Sequence, residues 1–484
     1  MKHNPNRLHT PEFFQYREII FDIVPHTMPP PAKTVYLCRN FIDYEYNLRF
    51  NKDTMIHPLA QELNDTLASS IAGGLLSDLG KRIFFPRGII SQGGEAKKLG
   101  HVANATIGMT VIKGTPAILD AVHKNAPDLK NGELVAYAPT AGNPDLREAW
   151  KNALVVKNPS LKGKNISLPV LVPGLTAGIS YLADLFVDGT KPLLAANPSW
   201  DNYALVIESR RGAELHTFDM FKDGGFNLPA FEKAITDEAK SGSVRVLLNF
   251  PQNPSGYSPT TAEANAILSI LKAQAEKGTK LLVWCDDAYF GLNYEKDIYP
   301  QSLFAELCDM HENMLAVKID GPTKEDFVWG FRCGFLTFGS KGMTDAHYDA
   351  LVKKLMGLIR SSVSCSSTVP QSLLLHAFKD PALEGQKKAM RDMLERRYQL
   401  VRKFVNSHTS KVLRPLPFNS GYFMSFNTGS LNAEELRKSL LNEKGIGTIS
   451  IDSQTLRVAF SSVDEDKIEK VYAEIYASAD ALAK

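Results

Sequence analysis

Four short segments of this 484-residue chain combine chemically active side chains with turn residues. They read PGLTAG at 173–178, NPSG at 253–256, DDAY at 286–289 and TKEDFVWGFRCG at 323–334. A glycine and a hydroxyl at the start of a helix can bind an anion such as phosphate through free backbone N–H groups. A lysine offers an amine, a carboxylate accepts protons, and an arginine pairs with anions. Each segment alone is equally typical of an ordinary turn, a helix cap or a solvated surface.

The elements around these segments predict where their side chains meet. Short apolar runs predict buried strands, and the stretches between them predict helices. The predicted strands cover 169–173, 192–196, 244–249, 280–286 and 314–319. The predicted helices cover 64–79, 118–125, 144–155, 176–186 and 262–277. Alternating strands and helices indicate βαβ units and a largely parallel sheet, in which ligands bind beyond the carboxyl ends of the strands.

The C-terminal part of the chain has a different pattern. Its predicted elements are a long charged helix at 382–407, a strand at 421–426, a helix at 432–441, strands at 448–451 and 455–460, and a helix ending near 478. We therefore predict an α/β fold with a large, mainly parallel-sheet domain and a smaller α+β domain. The predicted divisions are 1–112 for an N-terminal extension with part of the small domain, 113–370 for the large domain and 371–484 for the small C-terminal domain.

Composition disfavours several classes of protein. With 55 Lys and Arg against 53 Asp and Glu, the net charge of +2 disfavours binding to nucleic acid or to an anionic membrane. No apolar run reaches about 18 residues, so no membrane span is predicted. The five cysteines are scattered without a C-x-x-C pair, and the first residues lack the apolar core of a secretory signal, which favours the reducing cytoplasm. The 11 histidines show no metal-ligand spacing, so no metal site is predicted.

Two consecutive carboxylates, Asp286 and Asp287, end one predicted strand. Because side chains alternate along a strand, we expect the two to face opposite sides of the sheet. They are therefore poor partners for one metal ion, and each is also compatible with a turn or cap role.

The segments, taken together and in this order, resemble the class I/II aminotransferases, in particular their aspartate-aminotransferase-like branch. The resemblance also includes NPSW at 197–200 and TLRVAF at 455–460, and it runs from about Asn104 to Arg457. No single motif is specific, but five or six in the right order are. The resemblance implies the fold-type-I architecture, with 113–370 as the domain that binds pyridoxal 5'-phosphate (PLP).

The resemblance implies a role for each residue. Lys324 is expected to form the Schiff base with PLP and to shuttle a proton, and Asp286 to keep the pyridine nitrogen protonated. Tyr289 and Asn253 are expected to bind the ring oxygen, and Trp200 to stack on the ring. The expected phosphate ligands are Leu175, Thr176, Arg332 and, from a neighbouring subunit, Tyr137. Gly321 stands where the family usually has a serine, and Thr323 is the candidate to replace that hydroxyl.

Substrate binding is expected at Gly108, Trp200, Asn253 and Arg457, with Arg457 holding the α-carboxylate. Arg360 has two open interpretations: it aligns with the arginine that binds a distal carboxylate, and it equally fits a basic residue at a helix C-terminus.

The implied reaction moves an amino group from an L-amino acid, aspartate or another dicarboxylic acid first, to a 2-oxo acid such as 2-oxoglutarate. The implied assembly is a homodimer with shared active sites. Alternatives are an aromatic or neutral amino acid donor, a PLP-dependent lyase or decarboxylase, and a non-catalytic PLP-binding regulator.

Overall fold

The computed structural model of the protein describes residues 56–68, 76, 78–82, 89–124 and 126–483. Among these residues, the largest sheet has seven strands. The strands are β1 (Ala103–Asn104), β2 (Val111–Ile112), β3 (Thr115–Pro116), β4 (Val170–Val172), β5 (Leu193–Asn197), β6 (Leu215–Asp219), β7 (Phe221–Lys222), β8 (Gly225–Phe226), β9 (Ser243–Asn249), β10 (Lys280–Asp286), β11 (Met314–Asp320), β12 (Gly334–Gly339), β13 (Arg414–Pro415), β14 (Phe423–Asn427), β15 (Ile446–Gly447), β16 (Ile449–Ser450) and β17 (Thr455–Ala459).

The α-helices surround this sheet and a smaller one. They are α1 (Pro58–Leu67), α2 (Asp78–Arg82), α3 (Ile89–Leu99), α4 (Asp120–His123), α5 (Asn131–Leu134), α6 (Pro144–Lys157), α7 (Leu175–Phe186), α8 (Asn202–Ala204), α9 (Leu228–Ala239), α10 (Thr261–Glu276), α11 (Phe304–Leu307), α12 (Pro322–Glu325), α13 (Asp345–Ser362), α14 (Thr368–Phe378), α15 (Leu383–Ser407), α16 (Ala433–Lys444) and α17 (Ile468–Leu482).

The seven-stranded sheet has the order β4-β12-β11-β10-β9-β5-β6 and is parallel except at β12. Every residue of β10 except Lys280 is buried, as expected for a parallel sheet covered on both faces. In the register of the central strands, Asp286 pairs with Asn249 on one side and Ile319 on the other. The carboxyl ends of β9, β10 and β11 therefore lie side by side. This architecture confirms the predicted α/β, fold-type-I class.

Local sequence explains where helix α6 begins. The Asn143 side chain accepts a hydrogen bond from Leu146 N at 3.1 Å, and Pro144 occupies the first turn of α6. Leu146, Trp150 and Leu154 recur every four residues and form the buried face of that helix. The expected helix at 144–155 is thus confirmed.

A smaller antiparallel sheet has the order β13-β14-β17-β16, and β1 pairs in parallel with β15 beside it. The long helix α15 packs against α17 in the same region. This is the mixture of strands and helices expected for the C-terminal part, while the divisions at 112 and 370 stay predictions. Among the described residues, no helix is both long and apolar enough to cross a membrane.

Three predicted elements differ from the structure. The helix expected at 64–79 begins at Pro58 and ends at Leu67, and positions 69–75 lie outside the described residues. The helix expected at 118–125 spans only Asp120–His123, because Leu119 before it has extended backbone and a separate 3₁₀ helix follows at Ala126–Asp128. The strand expected at 448–451 is shorter, covering Ile449–Ser450 as β16, and it pairs with β17.

Candidate active site

The carboxyl ends of the central strands open into a cavity of about 420 Å³. Its lining includes the predicted site residues Gly108, Leu175, Thr176, Trp200, Asn253, Asp286, Tyr289, Thr323, Lys324, Arg332 and Arg457. These residues come from strand ends, turns and the smaller sheet, so the cavity lies where the two sheets meet. The position agrees with the expectation for ligand sites in open α/β sheets.

Lys324 lies in the short helix α12, directly after β11. Its Nζ lies 4.7 Å from the centre of the Tyr289 ring, and its backbone oxygen accepts a hydrogen bond from the Tyr422 hydroxyl at 3.1 Å. Burial lowers the pKa of the Lys324 amine to about 8; Asp286 opposes the shift and Arg332 adds to it. The amine is therefore a better nucleophile and base near neutral pH than an ordinary lysine.

Asp286 ends β10 with its carboxylate 3% exposed. Its Oδ2 accepts a hydrogen bond from the Tyr203 hydroxyl at 2.5 Å, and its Oδ1 accepts one from Ala288 N at 3.2 Å. Burial raises the pKa of Asp286, while the Tyr203 hydroxyl and the Lys324 amine act in the opposite direction. A buried carboxylate held in this way can pair with a protonated ring nitrogen of a ligand.

Asp287 faces the other side of the sheet, as strand alternation predicts. Its Oδ2 accepts a hydrogen bond from the Ser302 hydroxyl at 2.6 Å and forms an ion pair with the fully buried Lys318. The two neighbouring carboxylates thus have separate partners. Within the described part of the chain, no group of three or more His, Cys, Asp or Glu residues could hold a metal ion.

An anion-binding cradle lies at the start of α7. Gly174 has a positive φ of 92°, and a Cβ at this position would lie 2.4 Å from Arg332 Nη2. The glycine therefore lets the guanidinium approach the first N–H groups of the helix, at Leu175 and Thr176. These groups form a positively polarised, donor-rich site that fits a phosphate, and Thr323, whose hydroxyl donates to the Cys333 oxygen at 3.4 Å, lines the same cavity.

Close packing explains the glycine at position 321. A Cβ at Gly321 would lie 3.0 Å from the Cys333 oxygen and 3.0 Å from the Gly334 Cα. The backbone of the turn after β11 thus approaches the start of β12 too closely for a larger residue to fit without a shift. Thr323 remains the hydroxyl of this turn that lines the cavity.

Arg457 extends from β17 into the opposite wall and is 2% exposed. Its Nη1 donates to Asn253 Oδ1 at 2.9 Å and its Nη2 to the Thr106 oxygen at 3.1 Å. The guanidinium also lies 4.3 Å from the centre of the Phe423 ring. Burial lowers the pKa of Arg457 to about 10, so it stays cationic at neutral pH. A fixed, buried guanidinium of this kind suits the planar carboxylate of a substrate.

Two predicted site residues do not line this cavity. Tyr137 is 94% exposed, on the segment after α5. Arg360 is an exposed residue in the last turn of α13, where its Nη1 donates to Ser364 Oγ at 3.2 Å. Within one chain, therefore, the Arg360 position matches the helix-terminus interpretation, and any role of either residue in binding needs a second subunit.

Comparison with known proteins agrees with this geometry. The sequence pattern described as Aminotransferase class I and II matches residues 110–475. The chain belongs to the class I and II aminotransferases. Amino-group transfer is therefore its activity, and its substrates are small molecules.

The aminotransferase has relatives of several kinds. It is 25% identical over 343 residues to a probable N-acetyl-LL-diaminopimelate aminotransferase of Bacillus subtilis strain 168, a match that covers 69% of this chain and 77% of that protein. It is 24% identical over 368 residues to an aspartate aminotransferase of Pyrococcus abyssi, covering 75% and 85%. An aminotransferase crystal structure from Anaerococcus prevotii superposes with a TM-score of 0.73 at 22% identity, covering 83% and 97%. The structural match supports the fold, and the differing names leave the amino donor open.

Some cavity residues of the aminotransferase were not predicted from its sequence. They are Gly93, Thr106, Ile107, Met109, Tyr203, Asn249, Ala288, Trp329 and Phe423. Tyr203 lies three residues after Trp200, one helical turn away, and the two rings meet edge to face at 5.4 Å. That spacing is the one signal in the sequence for Tyr203. Thr106 and Phe423 carry no such signal, because they contact Arg457 only through the assembled sheet.

The pKa of Lys324 gives a testable pH dependence. At pH 7, a pKa of about 8 leaves roughly one tenth of the amine uncharged, against about one in three thousand for an ordinary lysine. In the chain freed of any bound cofactor, we expect the rate at which salicylaldehyde labels Lys324 to rise with pH and reach half its maximum near pH 8. Borohydride trapping followed by peptide mapping measures this rate separately from that of surface lysines. A midpoint at or above pH 10 would contradict the described environment of the amine.

Proposed function

We propose that this aminotransferase uses pyridoxal 5'-phosphate to move the amino group of an L-amino acid to a 2-oxo acid. The observation that carries the proposal is the convergence on one cavity of the Lys324 amine, the buried Asp286 carboxylate and the cradle at Gly174. An amine, an anion and a phosphate site are the three attachments that this cofactor requires.

The residues fit the cofactor group by group. The cradle at the start of α7, with Arg332, suits the phosphate, and Asp286 suits the ring nitrogen. Tyr289 and Asn253 suit the ring oxygen, and Trp200 offers an aromatic face. When bound, PLP supplies a carbonyl that links to amino groups and a ring that accepts electrons from the substrate α-carbon.

Each of these side chains has a separate role in the reaction. Arg457 binds the substrate α-carboxylate and so orients the α-carbon in the cavity. The Lys324 Nζ, once freed by the incoming amino group, takes the proton from the α-carbon and returns it at the end of the transfer. Asp286 keeps a proton on the ring nitrogen beside it, and the Tyr203 hydroxyl favours the anionic form of Asp286 by donating to it, which opposes the effect of burial on the Asp286 pKa.

We infer a homodimer with shared active sites. Leu134, Val135 and Tyr137 form an exposed segment, at 48%, 78% and 94% exposure, that is costly to leave in water. The Thr368 hydroxyl donates to the Ala136 oxygen at 2.5 Å and fixes this segment against α14. Such a segment suits contact with a second copy, whose phosphate site Tyr137 would reach. Sedimentation of the purified chain tests the assembly.

The scattered, unpaired cysteines, which include Cys285, Cys308 and Cys333, support a cytoplasmic location.

The identity of the amino donor has two candidates, a dicarboxylic amino acid and an aromatic or neutral one. A dicarboxylic donor depends on Arg360 meeting a distal carboxylate at a shared site, whereas an aromatic or neutral donor needs no such residue. The aromatic wall of Trp200, Trp329 and Phe423 favours the second candidate.

Arg360→Ala separates the two candidates. If the donor is dicarboxylic, we expect kcat/KM for L-aspartate to fall about 30-fold or more, as for loss of a charge pair, and that for L-phenylalanine to stay within about twofold. Steady-state assays with 2-oxoglutarate measure both, with Lys353→Ala on the same helix as the control. Equal changes for the two donors would exclude Arg360 from substrate binding.

The direct test of the proposed function is the visible absorption spectrum of the purified protein. We expect a band from bound PLP that converts to the pyridoxamine form when an amino acid is added without an acceptor. L-aspartate and L-phenylalanine are added separately, so the same experiment ranks the donors. A band that is lost only with release of ammonia or CO₂ would indicate a lyase or decarboxylase. No band after incubation with PLP would contradict the cofactor assignment, and a band with no turnover would indicate a regulator.

A further inference from the structure

Two acidic residues directly follow Lys324, and both are largely removed from water. The Glu325 side chain is 16% exposed and the Asp326 side chain 1% exposed. Burying a carboxylate costs several kcal/mol unless a cation compensates it. The turn that carries the reactive amine therefore needs partners for two negative charges.

Those partners come from two helices far apart in the sequence. Lys157, the last residue of α6, lies with its Nζ 2.5 Å from Glu325 Oε1. Lys387, near the start of α15, lies 3.2 Å from the same oxygen and 2.9 Å from Asp326 Oδ1, and its side chain is 11% exposed. Among the ion pairs of the described residues, Lys387 is the one cation that contacts both carboxylates.

Contacts of the backbone hold one side of the turn. Helix α12 has only four residues, too few to be stable without tertiary contacts. Its backbone is closed by Asp326 N donating to the Pro322 oxygen at 2.8 Å, and the Tyr422 hydroxyl binds the Lys324 oxygen. The side chains of Glu325 and Asp326 anchor the other side of the turn through Lys157 and Lys387.

We propose that Lys387 is a positioning residue, which pairs with Glu325 and Asp326 and thereby sets the place of the Lys324 amine in the cavity. It lines no part of the cavity and acts through the turn. Because α15 packs against α17, the same contact links the C-terminal helices to the reactive lysine. The inference rests on the proposed function only for the identity of Lys324 as the reacting amine.

The test uses the full chain without substrate, after any bound PLP has been removed by dialysis against L-cysteine. Lys387→Met is incubated with PLP, the product is trapped with borohydride, and the labelling rate of Lys324 is measured by peptide mapping below the unfolding temperature of every variant. We expect labelling about tenfold slower or more, because a displacement of about 1 Å can cost that much in rate. Lys387→Arg, which keeps the charge, should label within about twofold of the natural chain. Lys388→Met is the matched control, since that neighbouring side chain is 64% exposed and pairs with Asp392 on its own helix.

A double variant separates positioning from stability. Asp326→Asn with Lys387→Met removes the uncompensated carboxylate, so the unfolding midpoint should recover while labelling stays about tenfold slow. Recovery of the Lys324 labelling rate together with the unfolding midpoint would overturn the proposal. So would a labelling rate in Lys387→Met equal to that of the natural chain, or a slow labelling rate in Lys387→Arg. If Lys324 is unlabelled in the natural chain itself, the proposed function fails instead.

Discussion

Replacing Lys324 with alanine should abolish amino transfer, with kcat reduced by about 10⁴-fold or more. The variant loses both the amine that is expected to hold the cofactor and the base that is expected to move the α-proton, and a positioned acid–base group alone contributes about 10²–10⁴-fold. Alanine fits the short helix α12 without strain, and the lost side chain bears an amine whose pKa burial has lowered to about 8. We therefore expect the unfolding temperature to be unchanged or higher.

The measurement is steady-state transamination together with thermal unfolding monitored by circular dichroism. Lys353→Ala serves as the control, because that lysine is 70% exposed and pairs with Asp349 on its own helix. A transamination rate in the Lys324 variant equal to that of the natural chain would refute the assignment of the whole site. Loss of turnover in both variants would point to a general effect of removing a lysine.

Arg457→Gln should lower kcat/KM for every amino acid and 2-oxo acid substrate alike. Loss of a buried guanidinium that pairs with a carboxylate costs about 2–5 kcal/mol, which corresponds to about 30-fold to several thousand-fold in rate. The effect should not depend on the substrate side chain, because the α-carboxylate is common to all donors. This separates Arg457 from Arg360, whose loss is expected to act on dicarboxylic substrates alone.

A matched control for Arg457 is Arg402→Gln. Arg402 also lies over an aromatic ring, 4.6 Å from the centre of Phe418, but it is partly exposed and lines no part of the cavity. We expect its substitution to change kcat/KM less than twofold. A selective loss with one donor in Arg457→Gln, or natural activity with all of them, would remove Arg457 from the carboxylate site.

The fold was predictable where the apolar residues within one segment specify a strand or a helix. The apolar run at 280–286 is β10 as expected, because burial on both faces of a parallel sheet requires continuous apolar residues. The helix at 118–125 was overestimated, since its apolar spacing does not show that the backbone is extended at Leu119 or that a 3₁₀ helix begins at Ala126.

The site was predictable to the extent that its groups follow strand ends. Asp286 ends one predicted strand and Lys324 lies in the turn after the next, and the parallel register brings those ends together. Tyr203, whose hydroxyl donates to Asp286, lies on a helix after a different strand and was not predicted from its own segment.

The sequence by itself thus determined which chemical groups are present, their order and the strands they follow, since local periodicity and turn chemistry act over a few residues. Only the tertiary structure decided which of them meet. Arg457 binds Asn253 from a second sheet, Lys387 reaches Asp326 from a distant helix, and Arg360 does not line the cavity of its own chain. Such pairings depend on how whole sheets and helices pack, and that packing is set by the combined burial of many side chains.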